Sequence, residues 1–245
     1  MYQGVYKIAG HNIQIVSLYD KVQELCKDYV SSETPEYRVE VKQEDIVRET
    51  EKSEADDRKA GREIRRYSED YLETLAVYRK IAELLIEKDI VLFHGSVVAV
   101  DGEGYLFTAK SGVGKSTHVR LWTEEFKERA VVINDDKPLL EIKEDGILVY
   151  GTPWNGKHNR GINSCVPLKA ICVVNRGEQN FIETMDNKQG YPFLLQQIYR
   201  PSDNTKMEKT LQLISKIAKD TELYKLHCNM EQEAARIAYM GMNQK

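Results

Sequence analysis

The stretch YLFTAKSGVGKSTHVRLW, residues 105–122, has the residue types of a phosphate-binding loop. In loops of the form G-x-x-x-x-G-K-[ST], backbone N–H groups wrap the phosphates, the Lys reaches the outer phosphates and the hydroxyl ligates magnesium. Gly114, Lys115 and Ser116 stand in that register, and Ala109 occupies the position of the first glycine. The predicted nucleotide-binding residues are Ser111, Gly112, Val113, Gly114, Lys115, Ser116 and Thr117.

A pair of carboxylates follows further along the chain, in VVINDDKPLL. Asp135 and Asp136 end an apolar stretch, and a strand beside the loop would deliver them to the same edge of a sheet. Phosphoryl transfer needs such groups to hold magnesium and to orient the nucleophile. Adjacent strand residues point to opposite sides, so we expect the two acids to have different roles. Asn-Asp-Asp before Lys-Pro is also typical of a plain turn.

His94 interrupts an apolar strand in LFHGSVV. Placed next to Gly95 and one hairpin before the loop, it is a candidate for contact with a reacting phosphate. A packed histidine with a structural role is the alternative. The sequence leaves both open.

The loop needs a strand before it and a helix after it. YLFTA supplies the strand, and the helical pattern runs from about Lys115 to Phe126. The free N–H groups and the dipole at the start of that helix favour an anion there. Upstream, DGEG predicts a hairpin between IVLFHGSVVAV and the loop strand.

Before the hairpin, the patterns predict two short strands over residues 5–16, a short helix over 20–29 and a long helix over 68–88. The segment 33–66 is dense in charges of both signs, which predicts a solvated excursion with one strand at 37–41. This segment suggests a boundary, with a small α+β portion over 1–66 and the main domain over 67–245.

After the loop helix, AVVIN, GILVYG and LKAICVVNRG predict strands, the last of them central because it is nearly all apolar. The C-terminal third is predicted to be helical, with candidate helices near 190–199, 204–219 and 230–240. The sequence therefore predicts an α/β nucleotide-binding domain with an antiparallel contribution before the loop.

The amino-acid composition indicates which classes of partner and which compartment to expect. The 245 residues carry a net charge of −4, which gives no argument for a nucleic-acid or membrane surface. The N-terminus lacks the layout of a signal peptide, and no apolar run has the length of a membrane span. The four cysteines are scattered without a C-x-x-C pair. These features predict a cytoplasmic protein.

FHGSVVAVDGEGYLFTAKSGVGKS followed by VVINDD resembles the catalytic domain of the HPr kinase/phosphorylase family, over roughly residues 90–180. More distantly, it resembles ATP-dependent phosphoenolpyruvate carboxykinase. YGTPWNGKHN, VPLKAICVVNRG and QQIYRP are similar to a short HPr-kinase-like subfamily. The resemblance implies a P-loop domain with a mixed β-sheet, a small α+β N-terminal portion and a helical C-terminal part. It also implies a homo-oligomer, since HPr kinases are hexamers.

The resemblance implies roles for individual residues, with ATP and Mg²⁺ as cofactors. Lys115 would contact the outer phosphates, and Ser116 would ligate magnesium. Asp135 would be the general base that deprotonates a hydroxyl, His94 would support it, and Asp136 would lie on or near the metal.

The chain departs from true HPr kinases after the loop domain. The glycine-rich stretch that helps to dock HPr is replaced by GTPWNGKHNRGIN. Trp154, Lys157, His158 and Arg160 would form a cationic loop with an aromatic platform for an anionic partner. An exposed loop with one buried Trp is the alternative. Arg200, before Pro201, is either a cation at a helix end or a ligand for the transferred phosphate.

These observations favour a Mg-ATP-dependent kinase acting on a hydroxyl, either a serine of a protein or peptide or a small metabolite such as free serine. The HPr kinases also run in reverse with inorganic phosphate. One alternative is carboxykinase-like chemistry on a small organic acid, and another is a nucleotide sensor that binds without transfer. The chain lacks an arginine cluster suited to a dicarboxylate, which counts against carboxykinase chemistry.

Overall fold

The computed structural model describes residues 1–110, 112–157 and 159–244. The chain divides into two compact units, Met1–Leu84 and Leu85–Lys245. The boundary expected after residue 66 falls within the first unit. The assignment of 1–66 and 67–245 as separate domains stays a prediction.

The first unit is a small α+β structure. Strands β1 and β2 pair antiparallel around a turn at Gly10, and β3 adds in parallel to β2. This confirms the strands predicted around Gly10 and near residue 37. The elements are β1 (Tyr2–Ile8), β2 (His11–Ser17), α1 (Lys21–Leu25), β3 (Tyr37–Glu40), α2 (Gln43–Lys59) and α3 (Glu69–Leu85).

Helix α2 corrects the expectation of a solvated excursion over 33–66. Its inward face carries few apolar residues, because two buried acids take that place: Glu49 pairs with Arg79, and Asp57 pairs with Arg65 at 2.7 Å. A helix held by buried ion pairs has no apolar stripe, so hydrophobic periodicity missed it.

The second unit is built on a nine-stranded sheet flanked by helices. Its main path runs β4-β8-β9-β10-β6-β5-β7, and β12 pairs with both β10 and β11. The strands are β4 (Ile90–Leu92), β5 (Ser96–Val100), β6 (Glu103–Thr108), β7 (Ala130–Asn134), β8 (Leu139–Ile142), β9 (Ile147–Tyr150), β10 (Cys165–Arg176), β11 (Phe181–Met185) and β12 (Glu222–Cys228). The helices are α4 (Lys115–Phe126), α5 (Asn187–Gln197), α6 (Asn204–Asp220) and α7 (Glu233–Asn243).

Parallel and antiparallel pairs coexist in this sheet. Strand β10 runs parallel to β6 and to β12, whereas β5 pairs antiparallel with β6 and β7. The predicted α/β class with a mixed sheet is confirmed, as is the central place of β10. Strands β11 and β12 were not predicted in the C-terminal part. Lys225 and His227 break up the apolar pattern of β12, and its pairing with β10 is set by contacts distant in sequence.

Helices cover both faces of the sheet. Because neighbouring strand residues face opposite sides, Val98 and Phe107 pack with α4 and α7, whereas Val97 and Leu106 pack with α5 and α6. Trp122 of α4 is fully buried in the first of these clusters. All four cysteines are free thiols. Among the described residues, no helix combines the length and apolar character needed to cross a membrane.

Candidate functional site

The phosphate-loop sequence lies between the end of β6 and the start of α4. Gly112 has φ +81° and Gly114 has φ +127°, a backbone region that side chains disfavour. The backbone N–H of His118 donates to the Gly114 carbonyl at 2.9 Å, which begins the helix. The N–H groups of the first turn are therefore free to bind an anion.

Arg176 braces the loop from the end of β10. Its Nη2 donates to the Gly112 carbonyl at 2.5 Å, and its Nε donates to the Val113 carbonyl at 3.1 Å. Fixing these two carbonyls fixes the peptide planes of the loop. Sequence reasoning did not single out Arg176. The feature that could have identified Arg176 is its position at the end of a strand parallel to β6, because the ends of parallel strands meet at one edge of the sheet.

The paired acids lie in a bend just after β7, which Asn134 shapes. The fully buried Asn134 accepts from the backbone N–H groups of Asp136 at 2.9 Å and Lys137 at 2.6 Å. Its Nδ2 donates to Thr152 Oγ1 at 3.0 Å. The interpretation of this sequence as a plain turn is therefore compatible with its interpretation as a functional pair, because the bend presents the two acids.

Asp136 lies among three basic side chains. Its Oδ1 is 3.4 Å from His94 Nε2 and 3.7 Å from Lys115 Nζ, and its Oδ2 is 3.1 Å from Lys137 Nζ. Burial opposes ionisation, but the bond from His94 and the charges of Lys137 and Lys115 outweigh it and hold the pKa of Asp136 well below its usual range. Sequence analysis missed Lys137, which it treated only as part of a turn.

Lys115 is nearly enclosed, with 15% of its side chain exposed. Burial lowers the pKa of Lys115, and the nearby carboxylates of Asp136 and Asp135 oppose that shift. The ammonium thus lies beside both acids at the start of α4. A bound phosphate would bring negative charge to the same group.

Asp135 has different surroundings from Asp136. Its Oδ1 accepts from the backbone N–H of Gly156, in the loop between β9 and β10, and its carbonyl accepts from Ser96 Oγ at 2.7 Å. His94 lies against Asp136, and its support of Asp135, which the resemblance implies, stays a prediction. The two acids therefore make separate sets of contacts, although they lie in a bend after β7 and not at successive positions of a strand.

His94 occupies a break between β4 and β5 rather than the middle of one strand. Its backbone N–H donates to the Gln197 carbonyl at 2.8 Å, its carbonyl accepts from Thr108 Oγ1 at 3.2 Å, and its side chain is 48% exposed. The backbone is thus anchored while the imidazole reaches Asp136. Arg200 is exposed, just after Tyr199, whose N–H donates to the Leu92 carbonyl at 2.9 Å.

The other candidate residues are distributed unevenly. Ser116 is exposed and Thr117 half-buried in the first turn of α4, while Ser111 and His158 lie outside the described residues. Trp154 is only 4% exposed, so its ring packs inside and does not offer a platform to solvent. Lys157 and Arg160 are exposed.

The donor set fits magnesium bound together with phosphates rather than a metal held by protein alone. No cluster of three or more His, Cys, Asp or Glu side chains able to hold a metal occurs in the described part of the chain. Ser116 at the start of α4 and Asp136 beside Lys115 offer oxygen ligands at the loop. Magnesium commonly takes one or two protein oxygens and completes its shell with phosphates and water.

No family model matches the sequence, and no curated protein matches it. Among solved structures, the chain is similar to the Hpr(Ser) kinase/phosphatase from Coxiella burnetii at 10% identity and a TM-score of 0.36. The match covers 62% of this chain and 99% of that chain. A similarity of this size carries no residue role and no activity from one chain to the other.

Proposed function

We propose that this chain is a Mg-ATP-dependent kinase that transfers the γ-phosphate to a hydroxyl group. One observation supports this most: Lys115 of the loop and His94 of another segment both lie within 4 Å of the Asp136 carboxylate. Three parts of the sequence, each a candidate from its residue types alone, thus meet at the start of one helix. That helix presents free N–H groups, as an anion site requires.

The nucleotide phosphates would bind to the loop N–H groups and to Lys115. Ser116 and Asp136 would supply the protein oxygens for magnesium, whose charge would stabilise the phosphate oxygens during transfer. Asp136 is suited to this role because its neighbours keep it ionised. His94 and Lys137 would fix the orientation of Asp136.

Asp135 would be the general base. Within the described residues, its carboxylate accepts a hydrogen bond from Gly156, and Asp136 takes the contacts with His94 and Lys137. The acceptor oxygen would form a bond to the γ-phosphorus as the bond to the β–γ bridging oxygen breaks. The hydroxyl proton would pass to Asp135, and ADP would leave.

The acceptor would be a serine of a protein or peptide, or a small hydroxyl metabolite such as free serine. The exposed cations Lys157, Arg160 and Arg200 are candidates to bind an anionic part of it. We extend the proposal to a cytoplasmic homo-oligomer and to reversal with inorganic phosphate, as the sequence resemblance implies.

Wild-type protein and the Asp135→Asn variant, each given γ-labelled ATP and magnesium, would test the proposal in a bacterial extract split into macromolecules and small molecules. Label in a protein band with wild type alone would establish a protein kinase. Label in a metabolite with wild type alone would establish a small-molecule kinase. ATP binding without transfer to either fraction would overturn the kinase proposal in favour of a sensor.

Carboxykinase-like chemistry is tested separately by oxaloacetate turnover with magnesium and with manganese. Conversion of oxaloacetate at a rate above that of hydroxyl phosphorylation would replace the kinase proposal. We expect none, because that substrate needs a cluster of arginines for its two carboxylates.

A further inference from the structure

A cavity of about 480 Å³ lies directly beside the loop. Its walls are loop residues 112–114, one side of α4 from Thr117 to Leu121, and the C-terminal ends of β10 and β12. The volume falls within the range of about 300–1,000 Å³ typical of small-molecule sites. Because the loop itself forms one wall, a ligand with phosphates on the loop can extend into the cavity.

His118 lines this cavity and carries an unused polar atom. The side chain is 2% exposed, and its Nε2 accepts a hydrogen bond from Trp122 Nε1 at 2.9 Å. Because the indole N–H of Trp122 can only donate, Nε2 of His118 is unprotonated and the proton of the ring is on Nδ1.

Nδ1 of His118 is buried and has no hydrogen-bond partner among the described residues. Leaving a buried donor unpaired is costly, so such an atom next to a cavity points to a ligand with an acceptor. The remaining lining is largely apolar, including Val113, Leu121 and Val174, with Arg176 and Asn229 as further polar groups. Apolar walls with a few placed polar groups suit a flat heterocycle on a sugar.

We propose that this cavity holds the nucleoside of the phosphate donor, with His118 Nδ1–H donating a hydrogen bond to an acceptor atom on it. This inference rests on the proposed phosphate binding by the loop and assigns the nucleoside of the proposed ATP donor to this cavity. An inorganic polyphosphate would fill the loop and leave the cavity and His118 unused.

The test compares ATP with inorganic tripolyphosphate, both with magnesium, by calorimetry on the wild-type protein. We expect ATP to bind at least 10-fold more tightly. Equal affinities would overturn the nucleoside site and leave phosphate binding intact, whereas no binding of either ligand would overturn the proposed function itself.

Two variants test His118. The Gln side chain of His118→Gln can place an acceptor where Nε2 lies and so keep the bond from Trp122, but it lacks the Nδ1 donor. The Asn side chain of His118→Asn can place a donor where Nδ1 lies. We expect His118→Gln to weaken ATP binding about 2- to 10-fold, the range of one neutral hydrogen bond, with tripolyphosphate binding unchanged.

His118→Asn is expected to retain more of the ATP affinity than His118→Gln. Unaltered ATP affinity in His118→Gln would remove His118 from the site. Equal losses for ATP and tripolyphosphate in a folded variant would also overturn its role, because they would show a disturbance of the loop.

Discussion

Lys115 Nζ lies 3.7 Å from Asp136 Oδ1, although one residue begins a helix and the other follows a strand on a different part of the sheet. Asp136 supplies a countercharge for a nearly enclosed ammonium. Phosphates on the loop would bring further negative charge to the same ammonium, so Lys115 would join the carboxylate to the nucleotide. Variants of the two residues should therefore behave differently.

We expect Lys115→Met to weaken ATP binding by about 10- to 100-fold, because charge-assisted hydrogen bonds to phosphate are lost. The matched control is Lys110→Met, which removes an exposed lysine from the same loop. Calorimetry with Mg-ATP measures both. Similar affinity of the two variants would show that Lys115 does not contact the phosphates.

Arg176→Gln should weaken ATP binding by about 10-fold through the loop, because the carbonyls of Gly112 and Val113 lose their charged donor. Hydrogen exchange of the loop amides should become faster. The control Arg129→Gln removes an exposed arginine paired with Asp101 at the hairpin and should change neither quantity. Loop amides of Arg176→Gln that exchange as slowly as those of wild type would contradict the bracing role.

Asn134→Ala should lower the free energy of unfolding by about 2–4 kcal/mol, since two half-buried N–H groups of the bend, those of Asp136 and Lys137, lose their acceptor. Thr152→Val removes a single hydroxyl from the same network and should cost about 1 kcal/mol. Urea unfolding gives both values. We also expect Asn134→Ala to reduce phosphate transfer more than it reduces ATP binding, because the bend presents Asp135. Retained transfer would mean that the bend is not needed to position that acid.

The depressed pKa of Asp136 makes its contribution to stability depend on pH. The stabilisation is complete above the ordinary carboxyl pKa of about 4 and is lost as pH falls through the lower folded value. At pH 6, we expect the free energy of unfolding of Asp136→Asn to be about 2 kcal/mol lower than that of wild type. This difference should shrink towards pH 3.

The control for that pH series is Asp145→Asn, at an exposed position in the turn before β9. The free energy of unfolding of Asp145→Asn should stay close to that of wild type from pH 6 to pH 3. A difference for Asp136→Asn that is constant from pH 6 to pH 3 would refute the depressed pKa.

The strand, loop and helix around Lys115 could be predicted because their signals are local. Apolar β6, glycines for the turn and the helical pattern after Lys115 each lie within a few residues, and the helix ends at Phe126 as predicted. β7 was likewise predicted from Ala130 to Asn134. The assignment of catalytic roles to Asp135, His94 and the other site residues stays a prediction.

What the sequence concealed depends on contacts between distant segments. Helix α2 buries acids against Arg79 and Arg65, so its pattern is that of a surface. Arg176 and His118 have no local feature that marks them. Arg176 is recognised only by its hydrogen bonds to two carbonyls of another segment, and His118 only by its place in the wall of a cavity to which β12 contributes. Pattern reading cannot supply such pairings.

The parallel pairing of β10 with β12 has a consequence for how the protein matures. The loop sequence is synthesised before Arg176, which braces it from β10, and before Cys228 and Asn229, which complete the cavity wall. Pairings between distant segments form slowly because a large loop must close first. A chain still emerging from the ribosome would thus carry the loop motif before the complete site, so the proposed nucleotide would stabilise only chains synthesised beyond β12.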